Sequence, residues 1–322
     1  MRFIFRRALT ALLTLLLVSF LCFVAFGVIP GDPAGLVLGT EASTAQIEAL
    51  REKLYLNHNI IWRYFHWLSD FCTGNAGNSI RFHGAPVTEL VRQRLPVSTA
   101  LALVSLTFIL IIAVPVSLFS VRMRESRRAA WLDRLINSLT AVGISIPNFF
   151  LGVLFIWIFG IAFRLFSPGA YIDYHENFPG FLASLCFPAL AIALPGAALL
   201  TRFLRNALLH ELSSPYVRTA FCKGAGFSTV LRRHVLPNTL VPSLAVLGMI
   251  IAEIFSGNIV IEQVFAIPGL GRLLLTAILS RDYALIQSLV VYISWTVVLV
   301  FALIDIAIQV IDPRIRLREI NN

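Results

Sequence analysis

The sequence predicts an all-α fold, a polytopic membrane bundle of six transmembrane helices with a long loop after the first of them. Composition carries the first half of that expectation. The chain has 322 residues, 58% of them hydrophobic and only 13% charged, whereas a soluble domain carries about 25% charged residues. Its mean hydropathy is +0.82. Spacing carries the second half. The apolar residues fall in runs of about twenty or more, long enough to cross a bilayer as a helix. The basic residues stand between these runs without interleaved aromatics, so the net charge of +9 reflects topology and not a nucleic-acid surface.

The first span is residues 8–29, which follow Arg2, Arg6 and Arg7. This arrangement resembles a signal peptide, but the run is long enough to span and has no small-x-small cleavage pattern, so a retained helix is expected. An outer segment, 30–96, comes next. Within it Ser43-Thr44-Ala45-Gln46 reads as a capping box opening a helix with Ile47, Leu50 and Leu54 on one face. Trp62, Tyr64, Phe65, Trp67 and Phe71 then form an aromatic cluster. Such rings favour the membrane interface, and a small packed outer subdomain is equally compatible with them.

The remaining spans are expected at 97–121, 135–166, 185–204, 239–260 and 287–311. Pro115 lies in the second. The third is too long for one straight crossing and is interrupted at Gly143 and Pro147, and the fourth holds Pro188, Pro195 and Gly196. Proline in a span frees a carbonyl from its helical donor, and kinked helices are common where a pathway is built. Residues 262–286, with Pro268-Gly269-Leu270-Gly271, read as a re-entrant or surface connector. A basic tail, 312–322, closes the chain.

Orientation follows from charge. With the N-terminus inside, most of the 26 lysines and arginines fall on the cytoplasmic side: Arg2, Arg6 and Arg7; Arg122, Arg124, Arg127, Arg128 and Arg134; Arg202, Arg205, Arg218, Lys223, Arg232 and Arg233; Arg314, Arg316 and Arg318. Both termini are therefore expected in the cytoplasm.

Little in the chain suggests bond chemistry. Cys22, Cys72, Cys186 and Cys222 form no CxxC pair, the histidines are scattered without HExxH, and no disulfide framework or metal site follows. An intramembrane hydrolase would need a nucleophile and base in facing spans, and no histidine falls in one. No GxxxxGK[ST] occurs, so any ATP chemistry must come from another chain. Glu253 falls near the middle of the fifth span. A carboxylate there costs about 2.5–3.5 kcal/mol on insertion scales, so it faces a pathway or makes buried hydrogen bonds.

Residues 214–238, SPYVRTAFCKGAGFSTVLRRHVLPN, are the longest polar, basic island in the second half. Ser214 and Pro215 read as a hydroxyl N-cap and first helical residue. Tyr216, Val217, Ala220 and Phe221 give one apolar face, and Gly224 and Gly226 stop the helix. Ser228 is expected to cap a second short helix that Pro237 ends. The product is helix, turn, helix, a shape for docking, although the pattern alone also fits an ordinary basic loop.

Assembled in order, these pieces resemble the B-type permease subunits of the dipeptide/oligopeptide/nickel ABC importers. The similarity runs nearly end to end: Pro30-Gly31-Asp32-Pro33, Arg94-Leu95-Pro96, Trp131-Leu132-Asp133-Arg134, Ser145-Ile146-Pro147, Tyr216-Val217-Arg218-Thr219-Ala220, Lys223-Gly224, Val230-Leu231-Arg232-Arg233-His234, Glu262, Val264-Phe265, Pro268-Gly269-Leu270-Gly271-Arg272, Arg281-Asp282-Tyr283 and Asp312-Pro313-Arg314. The resemblance implies a permease core at 97–311 whose EAA-type loop, 206–238, forms cytoplasmic coupling helices that dock on an ATPase. It places Tyr216, Arg218, Ala220, Lys223, Gly224 and Arg233 in that contact, and Pro268, Gly269, Gly271 and Arg272 in an outer connector that meets a solute-binding protein. Ala225-Gly226 stand where the family often has Leu-Ser, which predicts a looser turn. Phe150 replaces a common tryptophan, and Glu253 replaces an apolar residue.

The implied function is ATP-driven import across the cell (inner) membrane, with di- or oligopeptides as cargo and nickel or another small solute as the alternative. The implied partners are a second permease subunit, two ATPase subunits that bind ATP and Mg, and an extracytoplasmic binding protein. The chain itself is expected to bind no cofactor and to perform no catalysis. An ion-coupled secondary transporter with Glu253 as proton carrier is the competing class. It should show internal repeats and paired intramembrane charges, neither of which is clear here.

Overall fold

The computed structural model describes residues 2–28, 43–53, 58–125, 129–167 and 169–311. Among these residues the chain is helical, with no strand beyond an isolated bridge between Asn78 and Pro86. In order the helices are α1 (Arg2–Val28), α2 (Thr44–Lys53), α3 (Ile60–Cys72), α4 (Val87–Glu125), α5 (Ala130–Ser145), α6 (Asn148–Phe155), α7 (Phe178–Leu212), α8 (Pro215–Cys222), α9 (Phe227–Val230), α10 (Leu236–Val264), α11 (Leu270–Leu279) and α12 (Tyr283–Ile311). Among the described residues five helices are long and apolar enough to cross a membrane, and the bent pair α5–α6, whose second arm continues as a π helix over Ile156–Ala162, makes a sixth crossing if counted as one span. Pro30-Gly31-Asp32-Pro33, Leu54, Arg127, Arg128, Arg314, Arg316 and Arg318 lie outside the described residues, as do the side chains of Gln46, Ile47 and Leu50 in α2.

The chain divides into two compact units. One takes Met1–Val97 and Pro268–Leu299. In it the aromatic cluster is a helix, α3, capped by Asn59 and packed along the flank of α1. The Tyr64 hydroxyl lies 2.8 Å from Ser19 Oγ and donates to the Leu16 carbonyl at 3.1 Å, while Phe20 and Phe23 meet the Tyr64 ring edge-on. Leu16 and Ser19 sit midway along the apolar stretch of α1, so Tyr64 meets this helix near the middle of that stretch. Phe71 closes the other side against Tyr292 and Trp295 of α12. The start of α12 is fixed by Asp282, fully buried, whose carboxylate accepts from Ser79 Oγ (2.5 Å) and the Arg81 and Leu285 amides.

The second unit takes Ser98–Ile267 and Val300–Asn322 and is built around α7. Small residues let its neighbours close in. A side-chain carbon on Gly143 of α5 would stand 2.9 Å from Ala198 Cβ, and one on Gly196 would stand 2.9 Å from Ile109 of α4. Such contacts are how spans associate without a hydrophobic drive between them. Gly143 therefore serves packing and does not break the third span. The break falls at Ile146 and Pro147, which are extended, and α5 and α6 meet there at 96°.

Several expected boundaries shift. The second crossing starts at Val87, so Pro96 lies inside α4 and not before it. The fourth starts at Phe178, where Asn177 accepts from the Gly180 amide. Pro237 does not end a helix: α9 runs through a π-helical turn, Leu231–Val235, straight into α10. A π turn bonds five residues back, and Pro237 stands directly after it in the first turn of α10, so the helix continues past a residue that cannot donate.

Candidate functional site

The island at 214–238 folds against its own unit by one face and leaves the other open. Val217 of α8, Val230, Leu231 and Val235 are buried with Leu204 and Leu208 of α7 and Val121 of α4. Ala220 and Phe227 pack partly against the same cluster. Ala220 is thus small because its own chain approaches it. Arg218, Phe221, Cys222, Lys223 and Gly224 stand on the exposed side, followed by Arg232, Arg233 and His234.

The turn between the two helices is closed by hydrogen bonds. Gly224 has φ +83°, its amide donates to the Phe221 carbonyl at 2.9 Å, and the Ala225 amide donates to the Ala220 carbonyl at 3.2 Å. This pair of hydrogen bonds around a left-handed residue is the Schellman arrangement, and glycine supplies it without a Cβ penalty. Ala225-Gly226 therefore do not loosen the turn. Ser214 and Pro215 begin α8 as expected, but the Ser214 hydroxyl makes no capping bond, and Gly226, not Ser228, is the N-cap residue of α9.

Tyr216 ties the ends of the loop together. Its hydroxyl donates to Glu211 Oε1 at 2.7 Å and accepts from Asn238 Nδ2 at 3.0 Å. Burial, then the Glu211 bond, raise its pKa above the ordinary value of 10.0, so the phenol stays neutral and the bond persists at physiological pH.

Above the loop lies a feature that sequence reading missed. Arg205 of α7 grips Asp133 of α5 with two bonds, Nη2 to Oδ2 at 2.6 Å and Nε to Oδ1 at 2.8 Å. Ser120 of α4 donates to Asp133 Oδ1. The pair is buried, with side-chain exposures of 11% and 8%. Arg205 is therefore committed to a partner and is not a free topological charge. One turn further along α7, Leu208 packs on the loop, so three spans are pinned directly behind it.

Glu253 lies elsewhere in the same unit. It is exposed, on the wall of a cavity of about 90 Å³, together with Asn148 at the start of α6. Pro195 and Gly196 of α7, Ile109 of α4 and Ile250 of α10 form much of the rest. Glu262, by contrast, is fully buried and accepts from Ser98 Oγ at 2.6 Å. Of the connector residues, Gly269 and Gly271 are buried and Pro268 and Arg272 half-buried. They position α11, whose exposed end is Ile278, Leu279, Ser280 and Arg281. Among the described residues no group of three or more His, Cys, Asp or Glu could hold a metal ion, and the four cysteines are free thiols.

A bundle of apolar spans, broken and kinked in its interior and carrying an exposed basic helix–turn–helix, has the anatomy of a membrane transport component. Residues 113–317 match the family described as binding-protein-dependent transport system inner membrane component, and residues 1–102 match the N-terminal family of such components. The chain belongs to this family and is a multi-pass membrane protein. It is 36% identical over 314 residues to a probable peptide ABC transporter permease protein of Sinorhizobium fredii, covering 98% of this chain and 99% of that one. An oligopeptide transport system permease protein of Bacillus subtilis is 34% identical over 97% of this chain and 98% of its own. A dipeptide transport system permease protein of the same organism is 32% identical over 99% of both. The fold is shared with the solved MetNI methionine ABC transporter in inward-facing conformations (TM-score 0.57, 18% identity, 69% of this chain and 96% of that chain).

Proposed function

We propose that the chain is a permease subunit of an ATP-driven importer, and that its cargo is di- or oligopeptides delivered by an extracytoplasmic binding protein. One observation carries the reading: a family member that spans the membrane presents a hydrogen-bonded helix–turn–helix whose inner face is cemented to its spans and whose outer face is exposed and basic. That face, with Arg218, Lys223 and Arg233 outward, suits an acidic groove on a partner ATPase, and Tyr216, Ala220 and Gly224 hold its shape. The names of the relatives support peptide as cargo. ATP and Mg would bind the ATPase subunits, a second permease subunit would complete the pathway, and the outer segment with the exposed end of α11 would meet the binding protein. Both termini would lie in the cytoplasm, as the charge distribution favours.

In mechanism, closure of the ATPases pushes α8. The buried contacts of Val217, Val230 and Leu231 transmit the push to α7 and α4, and the Asp133–Arg205 clamp keeps α5 moving with them. The double variant Arg218→Glu/Lys223→Glu tests the docking face, since both side chains are exposed and the fold has no need of them. ATPase subunits that co-purify with the wild-type chain are expected to be lost from the variant while its helical content and thermal stability hold. ATPase recovery at wild-type levels, with uptake intact, would exclude this loop as the docking surface.

A further inference from the structure

Resting on the peptide reading above, we propose that the cavity holding Glu253 and Asn148 is a transient subsite for an alkylammonium group, the free α-amino terminus of the passing peptide. The cavity is set among α4, α5, α6, α7 and α10, inside one compact unit. At about 90 Å³ it has room for several water molecules or one small head group and not for a whole peptide. Its walls are otherwise aliphatic: Glu253 and Asn148 are the polar side chains among the lining residues.

An ionised carboxylate only accepts hydrogen bonds and sets the sign of the cavity, while the amide offers an oxygen that accepts beside an NH2 that donates. One negative charge and an amide oxygen beside aliphatic walls match a group with N–H donors, one positive charge and a carbon stem. They disfavour a carboxylate or phosphate. Asn148 is fixed by the fold: it is the first residue of α6 after the Pro147 bend, so its side chain stands where the two half-helices part. Conduction requires a site strong enough to enter and weak enough to leave, which one carboxylate on an open recess supplies.

The test uses the assembled transporter in proteoliposomes with its own loaded binding protein. Uptake of trialanine, whose one ammonium is the α-amino group, is compared with uptake of N-acetyl-trialanine, for the wild type and for Glu253→Gln. The same binding protein serves wild type and variant, so its own preference for either peptide cancels when their ratios are compared. The ratio of free to acetylated uptake is expected to fall about tenfold in Glu253→Gln, the effect of one charge-assisted hydrogen bond. The loss should fall on trialanine alone, and Glu253→Asp should restore part of it. Equal slowing of both peptides, or an unchanged ratio, would overturn the inference and leave the peptide reading standing. If the wild type carries trialanine only, the trialanine rate of Glu253→Gln must itself fall about tenfold in complexes recovered at wild-type yield, or the inference fails. If the wild type carries neither peptide, the peptide reading fails first.

Discussion

Replacing Arg205 by methionine removes the cation from a buried clamp and keeps most of its stem. The two bonds of 2.6 and 2.8 Å run from two guanidinium nitrogens to the two oxygens of Asp133, the bidentate pairing a guanidinium makes best with a carboxylate. At an effective dielectric near 20 the gross attraction is about 5 kcal/mol. Most of it is offset by the cost of taking both charges out of water, so the pair itself adds little to net stability. Removing one partner is different, because Asp133 then stays 8% exposed with Ser120 alone to satisfy it. Such deletions cost about 3–5 kcal/mol, whereas an apolar replacement of both partners is close to neutral. Reversible unfolding in mixed micelles, run on Arg205→Met, Asp133→Leu and the double variant, should give single losses in that range and a double loss well below either of them. Single losses below about 0.5 kcal/mol would show that the two groups are solvated and that α4, α5 and α7 are not pinned here.

The same geometry yields further expected outcomes. Gly224 has φ +83° with open space around it, so Gly224→Ala is strained by its backbone alone and should cost about 1 kcal/mol; Gly226, at φ −71° and equally open, meets no such strain, so Gly226→Ala should cost only its weaker N-cap preference, and transport assays on the pair separate turn shape from bulk. Tyr216→Phe breaks the bonds to Glu211 and Asn238 and should lower stability by about 1 kcal/mol, measured by the same unfolding assay. Ala266 occupies the left-handed position of a second Schellman turn, φ 57°, with Ile267 bonded to the Glu262 carbonyl; Ala266→Gly should be neutral or stabilising by up to about 1 kcal/mol in thermal melts. Asp282→Ala leaves Ser79 and the amides of Arg81 and Leu285 without their shared acceptor and should cost more than about 2 kcal/mol.

What the sequence discloses here is what is local. The apolar runs locate the crossings, the Ile146-Pro147 pair marks a break, and Ser214-Pro215 and Gly224 bound α8, because each rests on residues within a turn or two. The errors also have physical causes. Pro96 and Pro237 read as boundaries from their missing donors, yet α4 continues through the first and a π turn prepares the second. Ser228 looked like a cap by type, but the preceding glycine already held the extended conformation. The bonds that fix the site are long-range. Asp133 and Arg205 are 72 residues apart and Ser79 and Asp282 are 203 apart, and no periodicity pairs them. Glu253 could be marked as costly from its position in a span, but the recess beside it needs four spans to exist.

The account rests on import driven by ATP through partner subunits, and one measurement bears on it most directly. The chain is reconstituted in proteoliposomes with its companion permease, ATPases and binding protein, and uptake of a labelled peptide is followed under two driving forces. Uptake should require ATP together with loaded binding protein and should disappear when this chain is omitted. Uptake driven by a proton gradient without ATP, and abolished by Glu253→Gln, would contradict the account and identify an ion-coupled carrier instead.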